Sequence, residues 1–208
     1  EGMHYFFRQE DEREKLVIAG GRHLDDAMNL GGGVLYMPLT AKPSNTIDQW
    51  FQPESVSNWV CRRNQRPRSF RVNDFNDQAP ENPIGATEAG RTTDAGLTYE
   101  FGEHVDTESE ARTIAQIRAQ ELDCLRTTYQ GAGTIKSMHP GASFTLAGHY
   151  RPDFNMQYRV VEVRHFAEQA LVLSGGGAST ANYRNEFAAL PATMPYRPPR
   201  VTRKPFIG

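Results

Sequence analysis

The last 26 residues, YRNEFAALPATMPYRPPRVTRKPFIG, limit the possible fold more than any other stretch of the chain. Five prolines lie within 191–208. Proline fixes φ and has no backbone N–H, so this segment cannot form a helix interior or a central strand. We therefore predict an extended strap over 191–208, basic at Arg197, Arg200, Arg203 and Lys204, that leads to a further domain. The alternative is a disordered tail, because chain termini are often poorly ordered.

The composition is that of a globular protein. A chain of 208 residues is long enough for one or two domains. The hydrophobic content of 38%, to which 18 glycines add, is enough for a core with long polar loops. A net charge of −2 argues against non-specific nucleic-acid binding, which needs a basic surface. Two cysteines, Cys61 and Cys124, form no disulfide framework and fit a reducing compartment.

Neither a transmembrane helix nor a signal peptide is visible in the sequence. A membrane-spanning helix needs about 20 predominantly apolar residues, and no run approaches that length. The chain starts with Glu1 rather than Met and enters a strand-like run at once. We therefore expect N-terminal sequence to be missing and the chain to be a fragment.

Short strand-like runs dominate the chain. Residues 3–8 and 14–19 flank a charged loop and predict a β-hairpin. Residues 77–96 almost lack large apolar side chains and predict a surface loop or linker. The other predicted strands are 34–37, a pair at 56–63 and 69–75, a half-buried strand from Leu97 to Phe101, a strand containing Phe144 and Leu146, and strands at 156–166, 171–173 and 183–190.

One helix is predicted, over 107–129. Thr107 and Glu110 have the spacing of a capping box, and Gly131 and Gly133 would end the helix. We expect the apolar stripe to pack on a neighbouring sheet rather than to bind a partner. The stripe comprises Ala111, Ile114, Ile117, Leu122 and Leu125, with Arg112, Arg118 and Glu121 on the opposite side.

No motif in the sequence indicates catalysis, a cofactor or a metal. The histidines are His4, His23, His104, His139, His149 and His165, and they form no H-E-x-x-H or comparable zinc signature. Convergence of His139, His149 and His165 from strand ends is the open alternative. The sequence has no G-x-S-x-G elbow and no P-loop. The carboxylates Glu10, Asp11, Glu12, Glu14, Glu100, Glu103, Asp106 and Glu108 are predicted to solvate loops rather than to cleave glycosides.

Three groups of residues carry a resemblance to a known family. The strap group is Tyr183, Asn185, Phe187, Ala189, Pro191, Tyr196, Arg197, Pro198, Pro199, Lys204, Pro205, Ile207 and Gly208. The second group is Pro140, Gly141, Phe144, Leu146, His149, Asn155, Tyr158, Val160, Val163 and His165. The third is Asp74, Phe75, Asn76 and Pro80, although the family usually has Asp in place of Asn76. Together they resemble the hub of VgrG proteins, the spike component of the type VI secretion system, which is similar to the baseplate hub of contractile-tailed phages.

The resemblance covers nearly the whole chain and implies a fold and a domain order. The fold class would be mainly β with one α-helix, in antiparallel barrel-like domains of the phage baseplate hub type. Residues 1–76 would be a hub β region whose upstream part is missing, and 77–96 a linker. Residues 97–190 would form the second hub barrel region with the helix, and the 191–208 strap would lead to a missing OB-fold and needle.

The resemblance also implies a structural function without catalytic, cofactor-binding or metal-binding residues. Three copies would form a ring that adapts an Hcp tube to the puncturing needle and carries effectors or adaptors, without binding nucleic acid or inserting stably into a membrane. Assembly in the bacterial cytoplasm would precede secretion or injection through the apparatus. Arg197 and Arg200 would contact a neighbouring subunit or the next domain. The alternatives are the hub of a contractile phage or phage-derived particle, and a hydrolase domain.

Overall fold

The computed structural model of the chain describes residues 3–10, 13–20, 29–37, 54–91, 93–168 and 182–202. These residues form eleven strands and one α-helix, so the expected mainly β fold with a single helix is confirmed. The strands are β1 (Met3–Glu10), β2 (Arg13–Gly20), β3 (Asn29–Tyr36), β4 (Ser55–Arg63), β5 (Ser69–Asp74), β6 (Ile84–Ala89), β7 (Leu97–Phe101), β8 (Thr127–Gly133), β9 (Ser143–Ala147), β10 (Gln157–Glu168) and β11 (Asn182–Pro191). The helix is α1 (Glu108–Arg126), and a 3-10 turn spans Pro152–Phe154.

The chain forms two compact units, each built from separate stretches of sequence. The helix unit comprises Glu1–His23, Arg63–Thr127 and Pro195–Gly208, and the barrel unit comprises Leu24–Arg62 and Thr128–Met194. The domains predicted from sequence are contiguous regions instead. The division differs because strand pairing joins β4 to β8 in one barrel, although the whole of β5 to α1 lies between them in sequence.

The barrel unit contains a closed barrel with the strand order β10-β11-β8-β4-β3-β9. Strand β10 pairs antiparallel with β11 and β9, and β11 pairs antiparallel with β8. Strand β3 differs from these, because it runs parallel to both β4 and β9. Closure of the barrel pairs the backbone of each strand with a neighbour on both sides and leaves no free sheet edge.

Aromatic rings fill the barrel around Trp59. The Trp59 ring lies 4.7 Å from the ring of Tyr158, 5.5 Å from that of Tyr129 and 5.8 Å from that of Phe187. Tyr158 and Phe144 are fully buried. Buried aromatic side chains contribute large apolar areas, and these edge-on and offset contacts add specific geometry, so this cluster holds the strands in register.

The helix unit is a three-stranded sheet covered on one face by α1. The sheet has the order β6-β5-β7, in which β5 is antiparallel to β6 and parallel to β7. Its core is formed by Phe70, Val72, Val105, Ala111, Ala115 and Ala119. The three alanines recur at four-residue spacing, which lets the helix backbone approach the sheet. Strands β1 and β2 pair as a separate antiparallel hairpin, as predicted.

The N-terminus of α1 is capped as the sequence predicted, with one difference. Thr107 Oγ1 accepts a hydrogen bond from the backbone N–H of Glu110 at 3.3 Å. The Glu110 carboxylate accepts from the N–H of Asp106, one residue before the cap, at 3.0 Å. The first bond satisfies a donor that the first helical turn leaves without a partner, and the second holds the residue before the cap against that turn. At the other end, the N–H of Asn64 donates to the Arg126 carbonyl at 2.7 Å.

The predicted loop over 77–96 is wrong at its centre, where β6 pairs with β5. The segment IGATEA has few strand-forming side chains, but its backbone completes the sheet beneath α1. The helix also ends earlier than predicted, because Gly131 and Gly133 lie in β8 rather than after a helix. A Cβ at Gly131 would lie 2.5 Å from Phe187, so close packing explains this glycine.

Three further expectations are corrected by the packing. Strands β4 and β5 do not pair, because they belong to different sheets. Leu97, Tyr99 and Phe101 are more than half exposed, since β7 turns its other face toward α1. Arg118 is buried rather than on the solvent face of the helix. The predicted strand at 171–173 lies outside the described residues.

Candidate functional site

Strap residues 195–202 run along α1 within the helix unit, and we define this contact as the strap seam. Pro195 and Arg197 contact Cys124 near the end of the helix, and Arg200 contacts Glu121 one turn earlier. The strap is therefore antiparallel to α1. It has no regular secondary structure, in agreement with its prolines. Residues 203–208 lie outside the described part of the chain.

Cys124 lies at the centre of the strap seam and is 2% exposed. Its thiol donates to the Pro195 carbonyl at 2.9 Å, and the N–H of Arg197 donates to Sγ at 3.3 Å. Burial raises the pKa of Cys124 to about 11. The thiol is therefore neutral and unreactive at neutral pH, and it serves as a hydrogen-bonding group between helix and strap.

The two strap arginines bind polar side chains of the same unit. Arg197 Nε donates to Gln120 Oε1 at 2.9 Å. Arg200 Nη1 lies 3.0 Å and 3.3 Å from the two carboxylate oxygens of Glu103, whose side chain is only 2% exposed. The backbone N–H of Arg200 also donates to Glu121 Oε1 at 3.1 Å. The bond to a buried carboxylate is charge-assisted and therefore stronger than a neutral one.

Beside the strap seam, the charged side chains of Arg118, Glu121 and Glu100 form a network. Arg118 Nη1 donates to Glu121 Oε2 at 2.8 Å, and Arg118 Nε lies 3.8 Å from Glu100. Burial raises the pKa of Glu100, and the neighbouring Glu103 carboxylate raises it further, against the guanidiniums of Arg118 and Arg200. The network joins β7, α1 and the strap through alternating charges.

These contacts correct one expectation and leave another as a prediction. Arg197 and Arg200 bind groups of their own helix unit, and their expected contacts to a neighbouring subunit or the next domain stay a prediction. Glu103 was expected to solvate a loop, whereas it is buried against Arg200. Gln120 and Cys124 were not predicted as strap partners. Their four-residue spacing, which places both on one helix face, was the available signal.

Asp74, the last residue of β5, and Asn76 in the following loop have structural roles. Asp74 accepts hydrogen bonds from the N–H groups of Val105 at 2.9 Å and Phe75 at 2.8 Å. Burial opposes ionisation, but the N–H groups of Val105, Phe75 and His104 together lower the pKa of Asp74 below its usual value. Asn76 Oδ1 accepts from two backbone N–H groups of the following loop, and its amide donates to a loop carbonyl.

The described histidines of the barrel unit have separate partners. His139 Nδ1 contacts the Ser137 carbonyl, and His165 Nδ1 lies 2.6 Å from the Tyr183 hydroxyl. His149 is buried and accepts a hydrogen bond from the N–H of Arg151. Burial lowers the pKa of His149. Within the described ranges, no three His, Cys, Asp or Glu side chains lie together as a metal site. The described helix is too polar to cross a bilayer.

The closed barrel and the helix-covered sheet define the fold class of phage-tail hub proteins. A 43 kDa tail protein of a Shewanella oneidensis prophage aligns with a TM-score of 0.56 at 10% identity, covering 92% of this chain and 52% of that one. An Escherichia coli component of the type VI secretion system aligns with a TM-score of 0.51 at 12% identity, covering 97% of this chain and 37% of that one.

The phage tail baseplate hub (GPD) family matches residues 1–171, and the chain belongs to this family. Spike proteins of the type VI secretion system of Pseudomonas aeruginosa are similar in sequence. VgrG1b is 25% identical over 100% of this chain and 27% of its own length. VgrG1c is 28% identical over 100% of this chain and 28% of its own length. The chain therefore spans less than a third of these relatives, and the resemblance to VgrG hubs is confirmed.

Proposed function

We propose that this chain is the hub portion of a type VI secretion spike, with a structural rather than an enzymatic role. The observation that carries the proposal is sequence similarity to VgrG spike proteins over the full length of the chain. The hub family and the structural likeness to tail proteins support the same role.

In this proposal three copies assemble into a ring that joins an Hcp tube to the puncturing needle. The assembly forms in the bacterial cytoplasm, carries effectors or adaptors, and leaves the cell through the secretion apparatus. The 191–208 strap connects the hub to the following domain. Because strap residues 195–202 are bound to α1, force applied beyond the strap would reach the hub through the strap seam.

The second candidate is the hub of a contractile phage or phage-derived particle. The family name and the likeness to a prophage tail protein favour it. The spike is preferred because similarity to spike proteins extends over the whole sequence, whereas the likeness to the prophage tail protein is a likeness of fold at 10% identity.

The tube protein that this chain binds distinguishes the two candidates. We would tag the encoded protein in its own bacterium, cross-link cells, purify the tagged assembly and identify its partners by mass spectrometry. The spike proposal predicts Hcp, together with three copies of the tagged protein by native mass spectrometry. Recovery of a phage tail-tube protein would support the second candidate, and a monomer without any tube protein would refute both.

A further inference from the structure

The strap is bound to α1 by polar groups and not by the core of the helix unit. That core consists of Phe70, Val72, Val105 and three alanines of α1, packed against partly buried Ile84, Ala86, Ile114 and Leu122. Among the described residues, no strap side chain belongs to this cluster. Removal of strap residues 195–202 would therefore leave the apolar contacts between α1 and the sheet in place.

We propose that strap residues 195–202 form a detachable latch, which leaves α1 and returns as one segment while the helix unit stays folded. In this proposal the contact between Arg200 and Glu103 fixes the register of the bound strap. The inference concerns the isolated chain and does not depend on the proposed spike function.

The prolines make the strap suitable for such a movement. Pro195, Pro198 and Pro199 restrict φ, so the free segment remains extended and loses little conformational entropy when it binds again. The backbone N–H groups of Arg197 and Arg200 in the strap donate to helix side chains rather than to a neighbouring strand. Detachment therefore breaks contacts to side chains and disrupts no β-ladder.

The Arg200 contact selects one register. Glu103 is almost fully buried, and it loses its guanidinium partner whenever the strap shifts along the helix. A buried carboxylate that loses a charged partner is strongly destabilised. Meanwhile the Cys124 thiol hydrogen-bonds only in the register that places Pro195 and Arg197 beside it. Two separate contacts, one to Glu103 in the loop before α1 and one to Cys124 near the end of α1, thus agree on the same position.

The Cys124 thiol provides a direct measure of detachment. In the bound state it is buried, and burial keeps it protonated, so alkylating reagents cannot react until the strap leaves. We would measure alkylation of the full chain by N-ethylmaleimide using mass spectrometry, with Cys61→Ala as the background. Hydrogen exchange of β5 peptides, recorded on the same samples, reports opening of the core.

If the strap detaches as a latch, Cys124 is alkylated during openings that expose little surface. Urea at concentrations below the unfolding transition should therefore hardly accelerate alkylation. Arg200→Ala should accelerate alkylation about tenfold to a hundredfold, the range for losing a hydrogen bond to a charged group, without faster exchange in β5. Arg112→Ala is the matched control, since this arginine of α1 pairs with Glu88 and Glu108, which are exposed or partly exposed and lie outside the seam, and it should leave the rate unchanged.

If Arg200→Ala itself opens the core, we would use the double variant Glu103→Gln with Arg200→Gln instead. This variant removes both charges, so that no unpaired carboxylate is left. Faster alkylation with unchanged β5 exchange supports the latch. The proposal is overturned if alkylation keeps the wild-type rate, or if it accelerates only in proportion to exchange of β5.

Discussion

Replacement of Gly131 by Ala tests how tightly the barrel is packed. A Cβ built at this position lies 2.5 Å from Phe187 Cζ and 2.8 Å from Trp59 Cε3. Carbon atoms in contact prefer about 3.5–4.0 Å, so one or both rings must move by about 1 Å. Neither ring moves freely, because Trp59 also packs on Tyr158 and Phe187 on Phe144. Overpacking of this kind costs about 1–3 kcal/mol.

Gly33→Ala is the matched control on another strand of the same barrel. Its added Cβ would lie 3.7 Å from Ala147 Cβ, an ordinary contact distance. Both variants restrict the unfolded chain to a similar extent, which stabilises each by about 0.4–1 kcal/mol. The unfolded-state effect therefore cancels in the comparison. We expect Gly131→Ala to be less stable than Gly33→Ala by about 1–3 kcal/mol.

Urea unfolding followed by tryptophan fluorescence measures this difference. Replacing Trp50 with Phe leaves Trp59, which lies beside Gly131, as the only indole in the chain. The dependence of the unfolding free energy on urea should be the same in both variants, so that a shift in midpoint reports stability. If Gly131→Ala were as stable as Gly33→Ala, the close packing of β8 against these rings would be refuted.

Three further substitutions test other contacts. Asp74→Asn should lower the free energy of unfolding by about 1–3 kcal/mol at pH 7, because a charge-assisted acceptor is lost. Since the folded-state pKa of Asp74 is lowered, its contribution begins to decline as pH falls below about 4. Urea unfolding should therefore show a smaller difference between the two proteins at pH 3 than at pH 7, and an equal difference would contradict this. Thr107→Ala should lower the free energy of unfolding by about 0.5–2 kcal/mol, measured by thermal unfolding. Thr113→Ala, within the same helix, should not destabilise the protein, and equal losses in the two variants would exclude a capping role. Asn185→Ala should cost about 1–3 kcal/mol in urea unfolding, because a fully buried donor to the Ile135 carbonyl is removed, and an unchanged midpoint would contradict this.

Local sequence signals were sufficient where a segment's own pattern determines its structure. The long alternating run at 156–166 became β10, and the capping residues of α1 predicted where the helix begins. The hairpin at the start of the chain followed from two apolar runs around a charged loop. In these cases the signal lies within the segment itself, as alternation along a strand or as a capping residue next to the helix.

The sequence was misleading where a residue's role depends on a distant neighbour. Gly131 was interpreted as a helix stop, but its lack of a side chain accommodates Phe187, 56 residues later in the sequence. Strand β6 has weak propensity and exists because β5 and α1 flank it. The strap seam was missed for the same reason, because Glu103 is an unremarkable loop carboxylate until Arg200 covers it.

The interleaved order of the two units has a consequence for synthesis on the ribosome. The helix that binds the strap is complete at Arg126, whereas the strap begins at Pro195, after the last barrel strand. Translation of the intervening 68 residues (127–194) takes about 3–14 seconds at about 5–20 residues per second. Throughout that interval Glu103 and Cys124 have no strap to bind. A chain whose strap is bound to α1 has therefore had its whole barrel synthesised. A nascent chain on a ribosome that stalls within β11 has no bound strap.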